Sequence, residues 1–178
     1  GAISAMGQKD LKYVIGYSSV SHMGLVLVGF STLNTVAING AVFQMFAHGI
    51  MTALFFAVVG VIYDQAHTRE IDIFGGIARR MNWTTAAFIV GGLSSLGLPG
   101  LAGFIAEFLI FVGTFQVYPV IAILGIVAAA ITAVYILRLV AKVFFGPLNP
   151  RWAELHDASR SEAFALAVLV FFIVFAGM

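Results

Sequence analysis

The 178-residue sequence has no cysteine, four prolines and few charges, with Asp, Glu, Lys and Arg making up 10% of it. Without cysteine the chain forms no disulfide, no thiolate metal site and no Cys-ligated iron–sulfur cluster. The scarcity of charge excludes an ordinary water-soluble fold. Hydrophobic residues reach 61% and mean hydropathy is +1.05, far from the usual globular mix. A formal net charge of +1 gives no basic excess for nucleic acid, and no glycine-rich nucleotide fingerprint follows a strand-like run. Gly1 to Lys12 lack the charged start and short apolar core of a cleavable leader, and Phe171 to Met178 stop inside an apolar run, as in a piece of a longer protein.

What remains is long apolar segments. Five helices are predicted, at about residues 13–33, 37–62, 83–115, 117–145 and 163–178. All but the last meet the ~20-residue length needed to span a bilayer. The third is too long, since 33 residues at ~1.5 Å each make ~50 Å against a hydrocarbon core of ~30 Å. Leu98, Pro99, Gly100 and Gly103 fall in its middle and break it near 98–103. Unwound backbone at membrane depth survives only inside protein or beside a wet cavity, so this helix faces inward. The predicted fold is an all-α polytopic membrane protein, one domain over residues 1–178 with five transmembrane helices, one of them discontinuous.

The linkers at 31–36 and 115–117 carry no charge, whereas Lys9, Lys12, Arg69, Arg79, Arg80, Lys142, Arg151 and Arg160 belong to the opposite face. Arg138 lies two turns inside the fourth helix and can snorkel to that face. The positive-inside rule makes that face cytoplasmic.

Against this background one charge stands alone. Between Arg80 and Arg138 the only charged residue is Glu107, and a lone carboxylate in hydrocarbon costs several kcal/mol unless it is paired or protonated. An intramembrane carboxylate near a helix break is the layout of an ion-transfer site; the bland reading is a protonated Glu bonded between helices. His22 and His48 sit near the middle of the first and second helices, each continuing a polar stripe: Ser18 with His22, and Gln44 with His48 and Thr52. Histidine accepts and releases protons near neutrality. The stripes also suit interhelical hydrogen bonding, the reading preferred for Ser18 and Thr52. His22 and His48 have no further ligand at metal spacing, and His67 and His156 fall in loops, His67 as a solvated or helix-capping residue.

Several motifs carry a resemblance. The run from Lys9 to Gly24 (KDLKYVIGYSSVSHMG), Gln44 to Gly49 (QMFAHG), His67-Thr68-Arg69 with Phe74-Gly75-Gly76, and Leu96 to Gly100 with Gly103 to Phe108 (GFIAEF) resemble the signature of the antiporter-like subunits of respiratory complex I, NADH:quinone oxidoreductase. The likeness covers nearly the whole chain and becomes vague after Pro150. Glu107 places it nearest the M-type branch, because the L- and N-type subunits and the matching Mrp antiporter subunits usually carry Lys there.

The resemblance implies a fold of fourteen transmembrane helices with two inverted five-helix repeats, this chain matching the tenth to fourteenth. It implies that Glu107 is the ionisable residue at the exit side of a proton channel and that His22 and His48 belong to the hydrophilic axis between half-channels. Lys12 matches a basic residue at the start of its helix and is read as an anchor. No cofactor is expected in this chain; NAD, FMN, iron–sulfur clusters and quinone belong to other subunits. The expected partners are neighbouring antiporter-like and other membrane subunits of the complex, the lipid bilayer, protons and internal water, in a bacterial plasma membrane. The alternatives are a subunit of a Mrp-type Na⁺/H⁺ antiporter or of a membrane-bound hydrogenase and, in another class, a non-conducting scaffold.

Overall fold

Short polar stretches set where the helices begin and end in this chain, whose computed structural model describes residues 1–178. After a one-turn helix α1 (Ala2–Met6), α2 (Leu11–Ser31) starts at Asp10, whose carboxylate accepts from the backbone N–H groups of Lys12 and Tyr13 at 2.8 and 3.3 Å. These are donors that no helical carbonyl can reach. Asn34 caps α3 (Thr35–Ala66) in the same way, through Val36 and Ala37. α3 closes at His67, which is exposed and left-handed at φ 53°.

The long third apolar run is two helices, α4 (Asn82–Ser95) and α5 (Ala102–Val117), joined by non-helical Leu96 to Leu101. At ~1.5 Å per residue each half reaches only ~21–24 Å, so neither alone crosses a ~30 Å hydrocarbon core. Pro119 opens α6 (Pro119–Val143), where its missing N–H costs nothing. α7 (Arg160–Phe175) begins with a reciprocal capping box between Ser159 and Glu162. There is no strand, only an isolated bridge between Asp10 and Glu70 and three 3₁₀ turns at Ile71–Ile73, Ile77–Arg79 and Pro150–Trp152. By length and composition α2, α3 and α6 can each cross a membrane.

Small residues let the helices approach closely, as is usual where lipid removes the hydrophobic drive between helices. A Cβ on Gly40 of α3 would lie 2.7 Å from Ile110 N and 2.9 Å from the Ala106 carbonyl of α5, and Gly113 packs directly on the Ala37 backbone. Nearer the charged end the Phe55, Phe88 and Phe144 rings run in series, with centroids 4.9 and 4.8 Å apart.

The two ends of the bundle differ in chemistry. At one end Asn34 Nδ2 donates to Gln116 Oε1 at 3.0 Å, joining the uncharged turn before α3 to the last turn of α5. At the other end Arg69 meets Asp10 at 3.2 Å, Lys142 pairs with Asp72, Gln65 exchanges two hydrogen bonds with His156, and Trp152 donates to the Ile73 carbonyl. Asp157 belongs here too. α4 has no side-chain cap of its own. Asp157, some 73 residues later, accepts instead from the Trp83 and Thr84 backbone N–H groups and from the Thr84 hydroxyl, at 2.6, 3.1 and 2.7 Å. Partial burial opposes its charge, but these bonds and the Ala158 N–H outweigh it and hold the carboxyl below its ordinary value.

Several expected boundaries shift. The second helix runs to Ala66 because Tyr63 to Ala66 contain nothing that stops a helix. The segment at 115–117 expected as a linker is helical, and the turn is Tyr118 alone, since Pro119 is already the first residue of α6. The last helix starts at Arg160, where the capping box sits. Gly103, expected within the break, lies in the first turn of α5; lacking a Cβ, it packs against the Ser94 carbonyl and so brings the two half-helices together.

Candidate proton-transfer site

Four helices and the helix break converge on one buried cluster. α2 supplies Ser18 and His22, α3 supplies Gln44, His48 and Thr52, α4 ends in Ser95, and α5 carries Glu107. His22 and Glu107 are 4% and 6% exposed. His22 Nδ1 lies 3.2 Å from Glu107 Oε1, and its Nε2 lies 3.1 Å from Ser95 Oγ. The His22 and His48 rings are tilted by 41° with centroids 5.2 Å apart, and His48 Nε2 meets Thr52 Oγ1 at 3.1 Å. The sequence singled out Glu107, His22 and His48 on separate grounds; the structure puts them side by side.

The break shapes the carboxylate's surroundings. Gly97 has φ +65°, and a Cβ there would stand 3.0 Å from Glu107 Oε2. Glycine thus serves twice, in a conformation that side chains resist and in a close approach of backbone to carboxylate. Leu98, Pro99 and Gly100 form the turn itself, with Gly100 at φ +92°.

A carboxyl group and an imidazole at this distance can pass one proton between them without changing their net charge. Acid with neutral imidazole and carboxylate with imidazolium both sum to zero, so the transfer avoids burying an unpaired ion. A cleft of about 320 Å³ between α2 and α6, open on one side, borders His22 and Glu107; its walls are mainly apolar, with Leu25, Val28, Ile121 and Leu124 beside Ser21 and Thr132.

Two participants, Ser95 and Tyr135, left no mark in the sequence analysis. Ser95 is one of two serines directly before the break, a position that offered a signal. Tyr135 of α6 donates its hydroxyl to Ser18 Oγ at 2.7 Å, one turn from His22. It also lines a second cavity of about 400 Å³ that opens at the basic end beside Lys9, Asp72, Arg138 and Lys142. Arg138 is exposed there, and Lys142 is paired with Asp72. Gln44 was placed in the right stripe, but its contact with His22, Nε2 to Nδ1 at 3.3 Å, was not foreseen. No three His, Asp or Glu side chains converge to hold a metal ion.

Comparison with known proteins agrees with this architecture. Residues 1–132 match the family described as NADH:quinone oxidoreductase/Mrp antiporter, transmembrane. The F(420)H(2) dehydrogenase subunit M of Methanosarcina mazei is 41% identical over 100% of this chain and 36% of its own length. The NADH-quinone oxidoreductase subunit M of Rickettsia prowazekii is 37% identical over 99% of this chain and 36% of its own length. This chain therefore spans about a third of the length of the curated relatives it matches. In structure it is similar to a chain of respiratory complex I from Thermus thermophilus with bound NADH, with TM-score 0.92 and 27% identity over 99% of this chain and 38% of that one. It is a multi-pass, all-helical membrane protein, and it belongs to the NADH:quinone oxidoreductase/Mrp antiporter transmembrane family.

Proposed function

We propose that this chain is the second-repeat part of a proton-translocating M-type subunit of a respiratory NADH:quinone oxidoreductase, residing in a bacterial plasma membrane. Its five spans are α2, α3, the broken pair α4–α5, α6 and α7, with the basic end in the cytoplasm as the positive-inside rule requires. The observation that carries the reading is the buried Glu107–His22 contact of 3.2 Å, set against a helix break. Glu107 takes up and releases a proton, His22 and His48 relay it through water, and a changing neighbour supplies the drive by shifting the carboxyl's proton affinity. Redox chemistry belongs to other subunits, which hold NAD, FMN, iron–sulfur clusters and quinone. The partners of this chain are its own first repeat and adjoining membrane subunits.

The test is Glu107→Gln in the full-length subunit, read as proton translocation in inverted vesicles beside a blot of the assembled complex. Loss of translocation with normal assembly supports the reading. Wild-type translocation in the assembled variant would leave Glu107 as interhelical glue and the chain as a scaffold. A Na⁺-dependent signal would instead favour an antiporter.

A further inference from the structure

The Gln44 side chain is buried among α2, α3 and α5, 2% exposed, yet only one end of its amide is satisfied. Nε2 lies 3.3 Å from His22 Nδ1, while Oε1 has no partner. The same Nδ1 faces Glu107 Oε1 at 3.2 Å. A ring nitrogen holds either a proton or a lone pair, so it cannot accept from an amide N–H and donate to a carboxylate together. With the proton on Glu107, Nδ1 is bare and its one lone pair accepts from the Glu107 hydroxyl or the Gln44 amino group, both of which face it favourably, and Nε2–H donates to Ser95 Oγ. With the proton on His22, both ring nitrogens donate, Nδ1–H turns to the Glu107 carboxylate, and the Gln44 amino group opposes another donor. A half-turn of the amide about its last bond exchanges its two ends. It presents Oε1 to Nδ1–H, which Oε1 then shares with the Glu107 carboxylate, so that an attractive contact replaces the opposition of two donors while the amino group turns to where Oε1 stood.

We propose that Gln44 is a positioning residue whose amide adopts two orientations, one for each location of the proton between Glu107 and His22. The inference rests on the proton-transfer reading above. An amide suits the place because it is donor and acceptor in one shape and changes no charge, whereas a carboxylate there favours only the protonated imidazole. The titratable groups around His22 are His48 from α3, Glu107 from α5 and, through Ser18, Tyr135 from α6; α4 contains none.

The experiment is infrared difference spectroscopy between the oxidised and reduced states of the intact complex, with glutamine labelled at its side-chain carbonyl. A labelled amide band that shifts in the wild type and vanishes in Gln44→Met, alongside roughly tenfold slower translocation and normal assembly, is the expected result. Should Gln44→Met fail to assemble, the isosteric Gln44→Glu carries the band assignment instead. A Glu107 carboxyl band that changes while no Gln44 amide band does overturns this inference alone. No change at either residue overturns the proton-transfer reading, and this inference falls with it.

Discussion

Two glycines in the helix break separate strain from contact. Gly97 and Gly100 both have positive φ, at +65° and +92°. Placing a Cβ in a left-handed conformation costs ~1–2 kcal/mol. Gly97→Ala and Gly100→Ala should therefore lose similar thermal stability. Their surroundings differ: a Cβ at Gly100 meets nothing within 4 Å, whereas one at Gly97 stands 3.0 Å from Glu107 Oε2. Relaxing that contact to an ordinary van der Waals separation moves the carboxylate by roughly 0.5 Å. If the displacement lengthens its 3.2 Å approach to His22, and misplacing reacting atoms by 1 Å costs about 10²-fold, translocation should fall roughly tenfold. The assay is proton translocation in inverted vesicles, normalised to assembled full-length complex, with unfolding temperature measured in detergent. Gly97→Ala should be slow and Gly100→Ala near wild type. Equal impairment of both would refute the argument, because strain in the break would then matter and the carboxylate contact would not.

Other expectations concern the scaffold. Asp157→Ala should destabilise the start of α4 by about 1 kcal/mol, the usual cost of a lost cap, and Asp157→Asn by less; thermal unfolding measures both. Because the Asp157 carboxyl is held below its ordinary value of 3.8, its contribution is complete above that value and fades as pH falls through the folded, lower one. Wild type and Asp157→Asn should thus differ at neutral pH and converge well below 3.8; a constant difference across that range would contradict the cap's charge dependence. Gly113→Val forces α5 off the Ala37 backbone of α3, at a cost of about 1–3 kcal/mol for overpacking. It should reduce the amount of assembled complex on a native gel, and unaltered assembly would contradict the close packing.

The legible features were those that act along the chain. Apolar run length gave the helices, and a 33-residue run too long for a bilayer, with Pro99 in its middle, gave the break. Glu107 stood out because a lone carboxylate in hydrocarbon is costly. Contacts across the chain left no such trace. Ser95 meets His22 across 73 positions and Tyr135 meets Ser18 across 117. Helical spacing tells which residues share a face of one helix, but not which faces meet. Asp157 reads as an ordinary loop acid, since a cap donated from a distant loop has no local signature. Gly103 was assigned to the break because glycine disfavours helix, whereas here it serves an approach to Ser94 that only the packed structure reveals.

The central claim is that the carboxyl of Glu107 gains and loses a proton during turnover. Infrared difference spectra of the intact complex, recorded between its oxidised and reduced states, report this through the protonated-carboxyl stretch. A carboxyl band should change in the wild type, shift in Glu107→Asp and be missing from an assembled Glu107→Gln complex. A wild-type band that persists unchanged in Glu107→Gln would place the exchanging proton on another residue and contradict the account.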